Sequence, residues 1–386
     1  MKLGSLRFTM PNGELFTFGE GNEVHASIQV HSSALFRKGI WYGDVGFGEA
    51  YVDGDWDTDD ITDVIRWMIL NLDNHPQLSG SDRSFRVNLL EIANKLFHKI
   101  RSNTLTGSQK NIADHYDLSN EFFRTFLDPG MTYSSAIFDR PEQTLESAQQ
   151  EKYDRLCRKL QLKPGDHVLE IGTGWGGFAL HAAKAYGSRI TTVTISQQQF
   201  QLAKQRVQEA GLNDRIDVQL RDYRNIQGQF DKLVSIEMLE AVGHRYLEAY
   251  FKKCHELLKH DGLMALQVIT CPDARYDTLR KTIDWTQKHI FPGSLILSVA
   301  AINNAINRTG DLFLHHLEDF GTHYARTLRE WKQKFNRNLA EVRTLGFNES
   351  FIRKWNYYLS YCEAAFSMRN ISVIQMVYTR PNNRNL

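Results

Sequence analysis

Residues 167–199, HVLEIGTGWGGFALHAAKAYGSRITTVTISQQQ, decide the fold. An apolar run enters a turn carrying Gly172, Gly174, Gly176 and Gly177, a helical stretch follows, and a second β-branched run closes at Thr194. Such a turn needs glycine because the backbone must pass close to a ligand and adopt dihedrals that a Cβ would penalise. The helix opening there also presents unpaired N–H groups. Dinucleotide enzymes, methyltransferases and plain tight turns all use a G-x-G of this kind. Two features favour an adenosyl cofactor, S-adenosylmethionine, over a dinucleotide. The glycines fall at 172, 174 and 176, with Gly177 only happening to sit at the third position of G-x-G-x-x-G, and the second strand ends in Thr194, Ile195 and Ser196, where a nicotinamide ribose usually finds an acidic partner. Glu170, ending the first strand, also suits a methyltransferase. The alternative for Gly172 and Gly174 is turn formation alone.

Outward from this unit, helical and strand patterns alternate from about residue 144. A helix over 145–162 stops before Pro164 and Gly165, and strands are expected at 167–172, 190–195, 217–222, 232–238 and 263–270. Strands apolar along their full length, alternating with helices, imply a parallel sheet covered on both faces. Ligands of such sheets sit at the carboxyl ends of the strands, a rule that gathers Gly172, Thr194, Asp222, Glu237 and Gln267 at one rim. Residues 1 to about 90 read as a small α+β domain, with strands over 5–10, 14–19 and 23–30 and a helix over 60–72. A polar bridge containing Pro76 and Gly80 follows, then a helix over 88–100. The expected division is an N-terminal α+β domain over 1–95 that docks on lipid, a linker over 96–110, and a catalytic domain over 111–386 with a Rossmann-like class I methyltransferase sheet.

Lys plus Arg number 46 and Asp plus Glu 45, so charge points to no nucleic-acid partner. Lys95, Lys99, Arg101 and Lys110 are either a phospholipid contact or a solvated linker. No stretch approaches the roughly 20 apolar residues that cross a bilayer, and the N-terminus lacks the apolar core of a signal peptide. The expected location is cytoplasmic, peripherally associated with the inner face of the membrane. Cys157, Cys254, Cys271 and Cys362 are too widely spaced for a metal pair or a disulfide framework. No H-E-x-x-H or acidic triad suggests a metal, and His115, His244 and His323 are assigned no role.

Several long motifs resemble the cyclopropane-fatty-acyl-phospholipid synthase family: GDVGFGEAYVDGDWD (43–57), HYDLSNEFFRTFLDPGMTYSSAIF (115–138), LESAQQEKYDRLCRKLQLKPG (145–165), EIGTGWGG (170–177) and FGTHYARTLREW (320–331). Enzymes of this family take a methyl group from S-adenosylmethionine to the cis double bond of an acyl chain in a membrane phospholipid, and a ring closes after loss of a proton. The resemblance implies that Tyr116, Ser119, Thr132, Tyr133 and Ser134 enclose the methionine part of the cofactor, with the backbones of Gly172 and Gly174. It places Thr194 and Gln199 at the ribose, and Asp222 and Tyr223 at the adenine. It also implies a bound bicarbonate as the base, held at positions that are here Ser135, Glu240, Gln267 and Tyr324, with the backbone of Ile269. Ser135 stands where the family has cysteine and Gln267 where it has histidine, a pattern shared with the branch that carries EMLEAVG (237–243) and includes plant-type synthases. Relatives pair as dimers, so a homodimer is a further possibility.

The chemistry makes its own demands. An alkene is a poor nucleophile, so the methyl donor must be held in line with it and water excluded. Methylation leaves a carbocation, which aromatic faces stabilise without capturing it. The 22 Phe, 15 Tyr and 7 Trp supply such faces, most of them as ordinary core. Glu240 is the residue expected to be catalytic, against the alternative of a carboxylate capping nearby amides. A methylene or methyl-branched product and a non-catalytic lipid-binding role are the competing readings. Trp41, Tyr42, Phe47, Trp56 and Trp67 are the expected lipid-docking side chains.

Overall fold

The computed structural model describes residues 3–72, 118–384 and 386. The helix expected over 88–100, the four basic residues around it, the linker over 96–110, His115 and Tyr116 lie outside the described residues. In chain order the elements begin with β1 (Ser5–Thr9), β2 (Leu15–Phe18), β3 (His25–Val30), α1 (Ala34–Val52), β4 (Trp56–Asp57) and α2 (Ile61–Leu72). Next come α3 (Asn120–Arg124), α4 (Leu145–Lys159), β5 (His167–Ile171), α5 (Gly177–Tyr186), β6 (Arg189–Thr194), α6 (Gln197–Glu209) and β7 (Ile216–Leu220). The chain continues through β8 (Phe230–Ile236), α7 (Leu247–Leu257), β9 (Leu258–Thr270), α8 (Asp273–Leu279), α9 (Trp285–His289) and α10 (Val299–Asn307). It closes with β10 (Phe313–Asp319), α11 (Gly321–Arg337), α12 (Leu339–Thr344), α13 (Glu349–Ser367) and β11 (Ser372–Thr379).

The described residues fall into two compact units that interleave along the chain. One draws on Met1–Ile100, Thr282–Pro292 and Tyr324–Ile371, the other on Arg101–Lys281, Gly293–His323 and Ser372–Leu386. In the first, strand order is β2-β1-β3-β4, with an antiparallel β1/β2 hairpin and parallel β1/β3. Helix α13 packs along α2 and α1 because its apolar side chains, among them Trp355, Tyr358, Leu359 and Phe366, need a partner. The buried Glu363 carboxylate joins three helices: it accepts from Thr62 at 3.2 Å and pairs with Arg329 and Lys332, both at 2.9 Å. Trp56 and Trp67 are fully packed, so they belong to this core and not to a docking face. Trp56 stacks against Phe47 at 4.5 Å and donates its Nε1 hydrogen to the Phe47 carbonyl.

The second unit holds a seven-stranded sheet in the order β10-β11-β9-β8-β5-β6-β7. The five strands expected from sequence, β5 to β9, pair in parallel. The sheet as a whole is mixed, because β11 runs antiparallel to both β9 and β10. β10, reading FLHHLED, is largely exposed and carries no apolar run, which is why it escapes a search for buried parallel strands. Helix α4 ends at Lys159, three residues earlier than expected, where Gln161 turns into the left-handed region at φ 52°. Since β5 lies between β6 and β8, the chain leaves β5 at the point where strand order reverses, the place beyond the strand ends where ligands of such sheets bind. Among the described residues no helix is long and apolar enough to cross a membrane.

Candidate active site

The glycine turn lies at that switch point, directly after β5. Gly172, Gly174 and Gly176 have φ of 103°, 51° and 85°, and Gly176 caps α5. A Cβ on Gly172 would lie 3.1 Å from the Met238 side chain, whereas one on Gly174 would have no neighbour within 4 Å among the described residues. The turn is anchored from β6: Gly172 and Thr173 both donate backbone N–H groups to the Val193 carbonyl, at 3.0 and 3.1 Å. Thr194, at the end of β6, donates its hydroxyl to the Gln199 side-chain carbonyl at 2.9 Å, which leaves the Gln199 NH2 as a donor. Asp222 caps the turn Tyr223–Asn225, and the Arg224 guanidinium grips its carboxylate at 2.8 and 2.6 Å.

A second rim segment, residues 128–135, is fastened by groups the sequence reading left out. Asp128 accepts from the backbone N–H of Gly130 and Thr132. Arg206 of α6 donates to the carbonyls of Gly130 and Trp175, at 2.9 and 2.6 Å, tying this segment to the glycine turn. Lys152 of α4 is completely buried and donates to Ser134 Oγ at 2.6 Å, while Tyr153 donates to Thr132 Oγ1 at 3.1 Å. Tyr133 packs on Phe123 at 5.4 Å, Phe123 on Trp175 at 4.9 Å, and Trp175 donates to Asn120, so the rings form one wall behind the turn. Ser119 caps the short helix α3. The signal that could have found Lys152 and Arg206 is helical spacing: each lies three or four residues from apolar positions of its own helix, namely Ala148 and Leu156, and Leu202 and Ala203.

Buried charge gathers under this rim. Glu170 is pushed up to about 8 by burial, with Thr192 and Lys152 acting against the shift, and its Oε2 has no hydrogen-bond partner among the described residues. Lys152 is pushed down to about 7 by burial, opposed by the charges of Glu237, Asp128 and Glu170. The folded chain therefore keeps a proton on Glu170 that the unfolded chain releases near 4.5, and stability present at low pH is lost as pH rises toward 8. Lys152 acts in the opposite sense above about pH 7, where the unfolded chain holds the extra proton. Glu170→Gln is expected to flatten the fall in Tm between pH 5 and 8, measured by thermal melts across that range. An unchanged slope would assign the titration to other groups.

The third segment follows β8. Glu237 has φ 47°, a left-handed conformation unusual for a glutamate. Its Oε1 accepts from Ser135 N–H and from Gln267 Nε2, both at 2.8 Å. Glu240 Oε1 accepts from Ile269 N–H at 2.6 Å, and Glu240 Oε2 is buried with no hydrogen-bond partner among the described residues. Burial, and then the adjacent Glu237 charge, push Glu240 up to about 8. Ser135, Gln267, Ile269 and Glu240 are thus brought together, with Glu237 at their centre. Tyr324 belongs to the other compact unit, where its ring packs on Phe366 at 4.4 Å. His323 accepts from Phe138 N–H, and His244 pairs with the Tyr276 hydroxyl.

Residues 103–376 match the family profile of mycolic acid cyclopropane synthetase. Tuberculostearic acid methyltransferase UfaA1 of Mycobacterium tuberculosis is 38% identical over 373 residues, covering 92% of this chain and 83% of its own length. The cyclopropane-fatty-acyl-phospholipid synthase of Escherichia coli K12 is 34% identical over 358 residues, covering 92% of this chain and 88% of its own. The crystal structure of mycolic acid cyclopropane synthase CmaA1 complexed with SAH and CTAB is similar with a TM-score of 0.65 at 30% identity, covering 70% of this chain and 98% of that one.

Proposed function

This chain belongs to the mycolic acid cyclopropane synthetase family and is a methyltransferase of the cyclopropane synthase type, and from that premise we propose that it transfers a methyl group from S-adenosylmethionine to the cis double bond of unsaturated acyl chains in membrane phospholipids. The observation that carries the reading is the convergence, at the switch point of the sheet, of an open glycine turn, the segment 132–135 and the carboxylates after β8. Among the described residues nothing lies within 4 Å of a Cβ on Gly174 and no partner takes the Gln199 NH2, which fits an adenosyl cofactor. Gly172, Gly174, Ser119, Thr132, Tyr133 and Ser134, with Tyr116, would hold its methionine part, Thr194 and Gln199 the ribose, and Asp222 and Tyr223 the adenine. When bound, it supplies an electrophilic methyl group. The protein's own part is to exclude water and to stabilise the cation left on the acyl chain. The Phe123, Tyr133 and Trp175 wall serves both ends, each suitably placed ring contributing on the order of 1 to 2 kcal/mol when desolvated. Loss of a proton from the added methyl closes the cyclopropane.

The deciding measurement is incubation of the purified protein with S-adenosylmethionine and vesicles of monounsaturated phospholipid, followed by mass spectrometry with double-bond derivatisation. An acyl chain one CH2 heavier and inert to the alkene reagent is the expected product. A second reading is favoured by the relative named for tuberculostearic acid, a methyl-branched product. There the proton leaves another carbon, and the heavier chain still reacts as an alkene. Absence of any product with bound cofactor would reject both.

Access to lipid is assigned to the first unit, peripherally at a bilayer surface. Leu15, Phe16 and Phe18 on β2 and Phe36, Ile40, Trp41 and Tyr42 on α1 are exposed, Ile40 to 73%. The Phe8 ring links the two groups, lying 5.7 Å from Phe18 and 6.4 Å from Phe36. Inserting one such side chain into lipid contributes about 1.5–3 kcal/mol, so Phe16→Asp with Ile40→Asp is expected to weaken vesicle binding by about tenfold or more. Vesicle flotation reads this directly. Unchanged flotation with an unchanged circular dichroism spectrum would remove the patch from docking.

A further inference from the structure

We propose that in this chain the Glu237 carboxylate itself occupies the anion position of the site, so that the proton-accepting base is a side chain and not a bound bicarbonate. The inference rests on the methyl-transfer reading above and deepens it. It comes from counting donors. Ser135 N–H donates to Glu237 Oε1 at 2.8 Å, and the Ser135 hydroxyl donates to the Ala136 carbonyl. Ile269 N–H is taken by Glu240.

The orientation of the Gln267 amide is fixed from outside. Lys159 Nζ donates to Gln375 Oε1 at 2.7 Å, which turns the Gln375 NH2 toward Gln267 Oε1 at 3.0 Å. The Gln267 NH2 must then face the other way, where it meets Glu237 Oε1 at 2.8 Å and the Ser135 carbonyl at 3.4 Å. A lysine can only donate, so this relay cannot run in reverse. Each donor that a bicarbonate would need in this unit is engaged by a carboxylate or carbonyl of the chain, and a second anion beside Glu237 would meet repulsion in place of hydrogen bonds. The residues therefore do not fit bicarbonate.

The backbone supports the same assignment. A glutamate at φ 47° is held in the left-handed region, and such strain persists only where the surroundings fix it. Here the conformation delivers a carboxylate from the end of β8 onto Ser135 N–H. In the step itself, a C–H bond of the added methyl breaks and its electron pair forms the bond to the cationic carbon, closing the ring. The proton passes to the Glu237 carboxylate and leaves to solvent before the next turnover.

Wild-type activity on vesicles is expected to be the same in CO2-scrubbed buffer and with added bicarbonate. Glu237→Gly relieves the positive φ and opens the anion position, so its activity is expected to fall about 100-fold or more in scrubbed buffer and to recover in part with bicarbonate. Glu237→Gln fills the position without a base and is expected to fall similarly without recovery. A bicarbonate requirement in the wild type, or full activity of Glu237→Gly in scrubbed buffer, overturns the proposal. Binding of 13C-labelled bicarbonate, followed by NMR, separates this inference from the reading beneath it, because it needs no turnover. Binding to Glu237→Gly but not to wild type supports the proposal even if no methyl transfer is found, and equal binding to both overturns it.

Discussion

Replacing Glu240 by glutamine is expected to lower turnover by about 100-fold or more while leaving cofactor affinity within about twofold. Glutamine preserves the shape and keeps a carbonyl oxygen to accept from Ile269 N–H, which holds the side chain at 2.6 Å. What it removes is the exchangeable proton of a buried carboxyl whose Oε2 has no hydrogen-bond partner among the described residues, so the variant cannot relay onward the proton that Glu237 accepts. Because burial and Glu237 raise Glu240 to about 8, it carries a proton at neutral pH and leaves the pair with one negative charge. The wild-type rate is therefore expected to decline above about pH 8, as a second charge forms beside Glu237, and the decline is expected to vanish in Glu240→Gln. Single-turnover formation of S-adenosylhomocysteine measures the first effect, equilibrium dialysis the second, and the pH profile of both proteins the third. Normal turnover in the variant would remove Glu240 from the mechanism.

The other large effect is expected at the turn. Gly174→Val should weaken S-adenosylmethionine binding by about 100-fold or more, equivalent to about 2.8 kcal/mol. At φ 51° a β-branched residue is strained, and among the described residues no atom lies within 4 Å of the added Cβ, so its methyl groups project into space left for the cofactor. The loss should accordingly appear in binding more than in folding. Gly176→Ala is the contrasting variant, since its added methyl lies 3.3 Å from the Ala203 Cβ at a φ of 85°, so its cost should appear in Tm. Calorimetric titration together with thermal melts distinguishes the two. Tight cofactor binding by Gly174→Val would place the cofactor elsewhere.

The parallel centre of the sheet is legible in the sequence because two faces of helices bury it, which favours β-branched and largely apolar runs at 168–171, 190–193 and 263–266, with glycine at the turn after the first. β10 and β11 are not, the first because it is polar and exposed, the second because its antiparallel pairing depends on a neighbour more than fifty residues earlier in the chain. Within the site, it is the family resemblance that points to an anion position at 135, 240, 267 and 269. The residue types there do not reveal what fills it. That depends on a backbone dihedral at Glu237 and on the direction of two amides set by Lys159, and neither has a signature in the string of letters. Lys152 and Arg206 are partly legible: QQEKYDR and AKQRVQE pass for solvated helix faces, yet spacing of three or four residues from Ala148, Leu156, Leu202 and Ala203 points one cation of each inward, as the packed rim shows.

The Glu363 junction has a bearing on how this protein is made. Thr62 and Glu363 are 301 residues apart in the chain, yet they meet in one core. On a ribosome, α2 emerges early and waits for α13, the helix that covers it, until most of the polypeptide has been synthesised. Throughout that interval Val64, Ile65 and Trp67, which end up fully packed, face solvent or a holding partner. The first unit is thus a product of late, long-range closure, while the sheet of the second can begin to assemble from neighbours adjacent in sequence. Slowed elongation or early termination should expose the opening segment to aggregation and proteolysis well before it harms the sheet.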